Sequence, residues 1–243
     1  MKLAIMQPYL FPYIGYFQLI HAVNTFVVYD NIKYTKKGWI NRNRMLSHGK
    51  ESLFSVPLAK GADSLHVVER TLAADFDRDS FIRSFREGYH GAPFLRQTME
   101  VLEEAVLDGE TNLFEFLTHS IKTICRHLNI DTKFKISSQI PIDHSLTGKD
   151  KVIAISKNLE AEWYINPIGG RDLYTKDEFA KDGLKVAFIK SIPVQYDQRC
   201  KTFVPWLSIL DVLMFNGVEK VVESILSQYD LIDEEEGKVK LHG

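Results

Sequence analysis

Short, wholly apolar runs alternate along this chain with segments in which apolar residues return every three or four positions. Leu3-Ala4-Ile5-Met6 contains no polar residue, the pattern of a strand covered on both faces. Phe26-Val27-Val28-Tyr29 is a second such run, and residues 12–22 between them read as a helix. Pro8 and Pro12 bracket a turn, because proline cannot donate to a sheet ladder. This strand–loop–helix–strand opening predicts a parallel α/β sheet with helices on both faces. Residues 52–57, after a turn at His48-Gly49, are a third strand candidate.

Helical patterns follow over residues 78–89, 94–107 and 113–128. In the last of these, Leu113, Phe116, Leu117, Ile121, Ile124 and Leu128 share one face. Asp77 is the cap candidate for the first. Strands at 133–137, 163–166 and 186–189 then alternate with helices at 150–159 and 178–181. Two final helices, 205–215 and 218–227, are separated by Asn216-Gly217. No repeat or low-complexity linker divides the chain. Residues 1–243 therefore read as a single α/β domain with a helical insertion near 70–130, and the acidic stretch 233–237 reads as frayed.

Composition narrows the class. Apolar residues make up 45% and charged residues 26%, the mix of a packed globular protein rather than a disordered one. Cys125 and Cys200 are too few for a disulfide framework or a zinc site, and Cys125 reads as a core thiol. No apolar stretch approaches the roughly 18–20 residues that span a bilayer, so no membrane span is expected and the cytoplasm is the expected location. The net charge of −2 hides an asymmetry. Residues 1–62 carry eight Lys/Arg against two acids, a net of +6, which leaves −8 for the remainder. Such a split points to an anion site in the N-terminal part and away from nucleic acid as a partner.

Ligands of open parallel sheets sit outside the carboxyl ends of the strands, so the segments that follow strands carry the candidate chemistry. The first strand runs into Gln7-Pro8-Tyr9-Leu10-Phe11-Pro12-Tyr13-Ile14-Gly15-Tyr16. A helix starting there offers N–H groups to an anion, Gly15 lets a ligand approach the backbone, and Tyr13 and Tyr16 share a side as phenolic donors. Each aromatic taken singly fits a core position as well. The second strand runs into residues 30–44, where Lys33, Lys36, Lys37, Arg42 and Arg44 are interleaved with Tyr34, Trp39, Asn41 and Asn43. Lysine and arginine bind phosphate through charge-assisted bonds, and the aromatics offer stacking faces. After a later strand, Gly169-Gly170 is a candidate backbone nest with Arg171 beside it. Ser208 is placed to cap a late helix, and Asp211 to pair with a base from residues 30–44. No phosphate-loop, dinucleotide-fold, nucleophile-elbow or zincin motif occurs, and no histidine pair has ligand spacing, so no metal site is expected.

Together these segments resemble the WbqC-like family of bacterial proteins. The resemblance rests on Met6-Gln7-Pro8-Tyr9 with Phe11 through Phe17, on Asp30 through Trp39-Ile40-Asn41-Arg42, and on Phe203-Val204-Pro205 with Ser208-Ile209-Leu210-Asp211. It covers nearly the whole chain and implies a gene found among those for O-antigen, capsule or other surface glycans. More distantly, Tyr13-Ile14-Gly15-Tyr16 is similar in placement to the His-x-Gly-His of HIGH-motif nucleotidyltransferases and pantothenate synthetase. That similarity implies a Rossmann-like sheet of the HUP, nucleotidyltransferase-like type, with ATP phosphates at the turn. Tyrosine is uncharged near neutral pH, so phosphate stabilisation would fall to Lys33, Lys36, Arg42 or Arg44, with Ser208 similar in position to a second phosphate-binding segment.

The leading expectation is an enzyme of surface-polysaccharide (lipopolysaccharide O-antigen or capsule) biosynthesis. It forms an amide on a nucleotide-linked amino sugar by transfer from an acyl or amino-acid donor, with ATP and Mg²⁺ drawn on for activation. In that scheme Asp30 orients or deprotonates the amine, while Lys33 and Arg42 stabilise developing charge. Gln7, Tyr9, Tyr13, Gly15, Tyr16, Lys36, Trp39, Asn41, Arg44, Gly169, Gly170, Arg171 and Ser208 bind the ligand and its phosphates. A glycosyltransferase ranks lower, because Asp75-Phe76-Asp77 and Asp77-Arg78-Asp79 lie at the edge of the helical insertion rather than at a strand end. A non-catalytic binding or assembly protein of the same pathway is the third reading. None of these features sets an oligomeric state.

Overall fold

Leu3 and Ile5 pack into one hydrophobic cluster and Ala4 into another, so the first apolar run is covered on both sides. The computed structural model describes residues 1–233, and of the acidic stretch 233–237 only Asp233 lies among them. In chain order the elements are β1 (Lys2–Met6), α1 (Ile14–His21), β2 (Thr25–Val28), β3 (Arg42–Ser47), β4 (Lys50–Ser55), α2 (Arg78–Gly88), α3 (Leu95–Val106) and α4 (Leu113–His127). They continue with β5 (Lys133–Ile136), α5 (Gly148–Asn158), β6 (Trp163–Pro167), α6 (Lys176–Ala180), β7 (Lys185–Ser191), α7 (Ile209–Lys220) and β8 (Tyr229–Ile232).

Six strands form one sheet in the order β5-β2-β1-β6-β7-β8. Every pair is parallel except β7–β8, so the sheet is Rossmann-like with one antiparallel edge strand. The chain leaves β1 for β2 on one side and reaches β6 on the other, which makes the β1–β6 border the point where strand order reverses. α1, α4 and α7 cover one face, and α5 and α6 the other. α2, α3 and α4 share a continuous core with α1 and α7. No helix among the described residues is long and apolar enough to cross a membrane.

Two expectations are corrected here. The third strand is not part of the main sheet, because β4 pairs only with β3, and β3 occupies residues that read as a basic loop. His48 (φ 51°) and Gly49 (φ 73°) make the tight turn between them, the positive-φ pair that a two-residue hairpin turn requires. The final helix begins at Ile209, not at residue 205. Ser208 Oγ accepts from Leu210 N at 3.3 Å as its cap, and Gly217 (φ 71°) breaks the helix. A Cβ on Gly217 would lie 2.6 Å from the Phe94 ring.

Asp211, in the first turn of α7, is fully buried and meets no base from residues 30–44. Its Oδ1 accepts from Tyr89 Oη at 2.9 Å, and its Oδ2 from Tyr196 Oη at 2.7 Å and Gln198 Nε2 at 2.8 Å. Burial raises its pKa, against the pull of these three donors. Tyr89 closes the connection by accepting from Leu46 N in β3 at 3.0 Å. One carboxyl group thus ties α7 to the residue 192–207 segment and, through the end of α2, to the hairpin. Asp211→Ala leaves these buried donors unpaired, and the expected loss is about 3 kcal/mol of unfolding free energy in urea titrations. A loss below about 1 kcal/mol would remove the network from its structural role.

Candidate functional site

The segment after β1 has no ladder of its own, and its backbone groups are satisfied from elsewhere. Asn43 Nδ2 donates to Leu10 O at 3.0 Å and to Phe11 O at 2.8 Å. Ser208 Oγ also donates to Phe11 O, at 2.8 Å, and Ile209 N donates to Pro12 O at 2.9 Å. Leu10 N reaches Ile40 O, and Ser208 N reaches Arg44 O, each at 3.0 Å. Phe11 is held at φ 40° with its ring buried. β3, the start of α7 and the start of α1 therefore converge beyond the carboxyl ends of β1 and β6.

A cleft of about 590 Å³ opens at this place, within the size range of small-molecule sites. Tyr9, Pro12, Tyr13 and Gly15 contribute from the β1–α1 segment, Trp39, Asn43 and Arg44 from the hairpin side, Pro167 to Gly169 from the end of β6, and Ile189 to Ser191 from β7. Pro193 and Trp206 complete the wall. Tyr13 packs edge-on against Trp206 with ring centroids 5.8 Å apart. The Arg44 guanidinium lies 5.9 Å from the Trp39 ring centre, and its Nη2 donates to Trp206 O at 3.1 Å and Pro205 O at 3.4 Å. Burial raises the pKa of both the Tyr9 and Tyr13 phenols, so near neutral pH they are protonated and available as donors.

Of the residues the sequence singled out, Tyr9, Tyr13, Gly15, Trp39, Arg44 and Gly169 line this cleft. The others lie elsewhere. Tyr16 is buried in the core and donates to Gln7 O at 3.1 Å, and Gln7 Nε2 donates to Tyr9 Oη at 2.7 Å. Asn41 bridges Tyr34 Oη and Val56 O. Arg42 turns back onto the carbonyls of Gly38 and Lys37. Lys36 pairs with Asp63 at 2.6 Å on the surface, and exposed Lys33 lies in a bridge to His66. Gly169 and Gly170 belong to a 3₁₀ turn (Ile168–Leu173) with ordinary φ values, so they form no αR–αL nest; Arg171 is on the same turn. A Cβ on Gly170 would lie 2.1 Å from Asn166 Nδ2, and one on Gly15 would lie 2.3 Å from the Tyr13 ring and 2.5 Å from Ser191 Oγ. Side-chain packing therefore accounts for both glycines. Ser208 is fully buried as cap and loop clamp.

Asp30 is also off the cleft wall. It is buried after β2, and its Oδ1 accepts from Ser137 Oγ at 2.6 Å and Ser138 N at 2.9 Å. Burial alone would raise its pKa, but the donors from Ser137 and Ser138 together outweigh that and hold it below the ordinary carboxylate value. Nearby, Lys151 of α5 is buried with its Nζ 5.2 Å from the Tyr29 ring centre, and desolvation lowers its pKa. Asn43 and Trp206 fall within segments the sequence marks, without a role of their own there, while Lys190, Ser191 and Pro193 are missed. The rule that ligands sit beyond strand ends, applied to the last parallel strand, points to Lys190-Ser191.

The WbqC-like protein family model matches residues 7–223. A Mycobacterium tuberculosis protein described as "Uncharacterized protein Rv1507c" is 26% identical over 221 residues, covering 90% of this chain and 95% of that one. No solved structure matches.

Two substitutions test this assembly. Asn43→Ala strips donors from two loop carbonyls and is expected to cost about 2 kcal/mol in denaturant titration. Asp30→Asn tests a carboxylate whose pKa is depressed by folding. Its stabilising contribution is complete above its unfolded value of about 4 and disappears as pH falls through the folded value. The Tm gap between parent and Asp30→Asn is therefore largest near neutral pH and closes in acid. A gap that widens on acidification would reverse this assignment.

Proposed function

We propose, for a chain that belongs to the WbqC-like protein family, that the β1–β6 cleft binds a nucleotide-linked amino sugar of bacterial surface-polysaccharide synthesis and that an amide is formed there on the sugar amine. The donor is an activated acyl or aminoacyl group, with ATP as co-substrate where the donor is a free acid. The observation that carries this reading is Arg44, beside the Trp39 ring and bonded to the backbone carbonyl of Trp206, on the cleft wall at the topological switch point. A cation beside aromatic faces suits a phosphorylated ligand with a flat or ring-shaped group, in the place where α/β sheets of this kind bind ligands.

In the amide-forming step the amine nitrogen bonds to the acyl carbon, the activating group leaves with the electron pair of its broken bond, and the proton from nitrogen passes to that leaving group or to water. Tyr9 and Tyr13, kept protonated by burial, are suited to donate to oxygen as negative charge develops on it. Lys190 and Ser191 stand on the same wall. Asp30 has no part in this version, because it is buried away from the cleft. One observation favours a second reading, ligand binding without catalysis: among the described residues, no carboxylate or histidine lines the cleft.

A thermal-shift series with ATP, UDP, dTDP, CoA and nucleotide-linked amino sugars separates the readings. A ligand at 100 times its Kd is expected to add about 2.7 kcal/mol, a rise in Tm of roughly 5–10 °C for a chain of this size. Arg44→Ala is expected to abolish the shift. Arg42→Ala is expected to reduce it without abolishing it, because Arg42 steadies the turn that carries Trp39 but is not on the cleft wall. Mass spectrometry of the amino-sugar nucleotide incubated with acyl-CoA, or with amino acid and ATP, then reports amide formation. Binding without product supports the second reading, and no shift with any of these compounds overturns both.

A further inference from the structure

Two large aromatic side chains stand half out of water at the cleft, Trp39 with 45% and Trp206 with 43% of its surface exposed. Neither is loose. Trp39 is flanked by the Arg42 and Arg44 guanidiniums at 5.7 and 5.9 Å from its ring centre. Trp206 has Tyr13 edge-on to its ring and Arg44 on its backbone carbonyl. Its backbone lies at φ 60°, a left-handed conformation that glycine or asparagine adopts readily and a bulky residue does not. The turn alone therefore gives no reason for an indole here. Strain of this kind persists only where surrounding contacts over-determine it, as they do here. Leu207 is buried next in sequence, Gln198 bonds both Val204 N and Val204 O, and Tyr196 and Gln198 are anchored on Asp211. An exposed indole held in a strained position by this many contacts is oriented for something outside the chain.

The amide and guanidinium groups nearby are already committed. Asn43 spends Nδ2 on two loop carbonyls and Oδ1 on Arg44 N, and Arg44 is divided among Glu51, Pro205 and Trp206. Ser191 lies apart from them, against Gly15 at the start of α1.

We infer that Trp39 and Trp206 are the stacking faces for the nucleobase of the ligand, with Arg44 as the positioning residue that holds both. Because Asn43 and Arg44 are committed and the Tyr9 and Tyr13 phenols are assigned to the acyl oxygen, the faces and not the edges of the base are read, so the cleft is tolerant of base identity and selects on the rest of the molecule. This rests on the proposed reading that the ligand is a nucleotide-linked sugar, and it adds which part of that ligand the tryptophans contact.

The test uses intrinsic fluorescence in a Trp163→Phe background, since Trp163 lies at the amino end of β6, away from the cleft. UDP, dTDP, ADP and GDP are expected to quench the two remaining tryptophans, to bind within about threefold of one another, and to bind at least about tenfold tighter than pyrophosphate, which offers no base to stack. Isothermal titration, which needs no tryptophan, then follows the variants. Trp39→Ala and Trp206→Ala are each expected to weaken the nucleoside diphosphates by about 5- to 150-fold, the usual worth of one base–aromatic stack, while leaving pyrophosphate within about twofold. Phenylalanine at either position is expected to restore most of the loss. Arg44→Lys, which keeps the charge but not the grip on two carbonyls, is expected to follow the tryptophan variants and not to weaken pyrophosphate.

A preference above about 20-fold for one base, or alanine variants that bind nucleoside diphosphates like the parent, overturns the stacking role and leaves the proposed function standing. Tryptophan-dependent binding without any amide product does the reverse. No binding by any of the four overturns both.

Discussion

The buried carbonyls of Leu10, Phe11 and Pro12 impose the constraint on which the rest of this end of the molecule depends. Their segment belongs to no ladder, yet a buried backbone carbonyl must find a donor. The donors come from two places far apart in sequence: the Asn43 side chain on β3, and the Ser208 hydroxyl with Ile209 N at the start of α7. Satisfying one strand-to-helix connection therefore brings the hairpin and the last helix together over the carboxyl end of β1. Asp211, one turn further along α7, then binds the segment that presents Trp206. The cleft is the space these obligations leave beside the β1–β6 border.

The basic character of the first 62 residues has a different origin from the one its pattern implies. Positive charge concentrated before a strand and a helix suggests phosphate, but three of these eight basic residues are engaged within the protein itself. Arg42 closes its own turn, Lys36 pairs with Asp63, and Arg44 is shared between Glu51 and two carbonyls. Beyond that stretch, Arg70 is buried against the Tyr34 ring, its centroid 4.9 Å away, and likewise donates to Ala59 O. Guanidinium groups suit this work because they carry several donors in a fixed plane. Of the basic residues in the 30–44 segment, Arg44 is the one that reaches the cleft wall.

What was legible in the sequence follows the strength of each segment's pattern. β1 and β2 are uninterrupted apolar runs, and α4 repeats its apolar face over four turns, so both kinds were readable to within a residue or two. β3 was not, because Arg42, Asn43 and Arg44 carry more polar character than a half-covered hairpin strand advertises, and its burial comes from α2 and the β1 loop. β8 was hidden for a similar reason: Tyr229 to Ile232 are all half-buried at a sheet edge. At the site, spacing placed Tyr9, Tyr13, Trp39 and Arg44 near one another. It did not distinguish a donor facing solvent from one already engaged, as with Arg42, Asn41 and Tyr16. That distinction depends on which carbonyls the fold leaves unpaired, a tertiary property.

The lining of the cleft limits how any reaction there is accelerated. With no carboxylate or histidine on the wall among the described residues, a step that requires strong general-base catalysis would be poorly served. A step between an amine and an acyl group already activated elsewhere needs less. Its barrier falls mainly when the two groups are held in line and when donors face the oxygen that gains charge. In the proposed reaction, rigid aromatic walls, tyrosine phenols protonated near neutral pH and an arginine fixed by backbone carbonyls would serve both. The same rigidity explains why so many of the polar groups around the cleft bond to the protein's own backbone: each bond removes a freedom that the ligand would otherwise have to remove on binding.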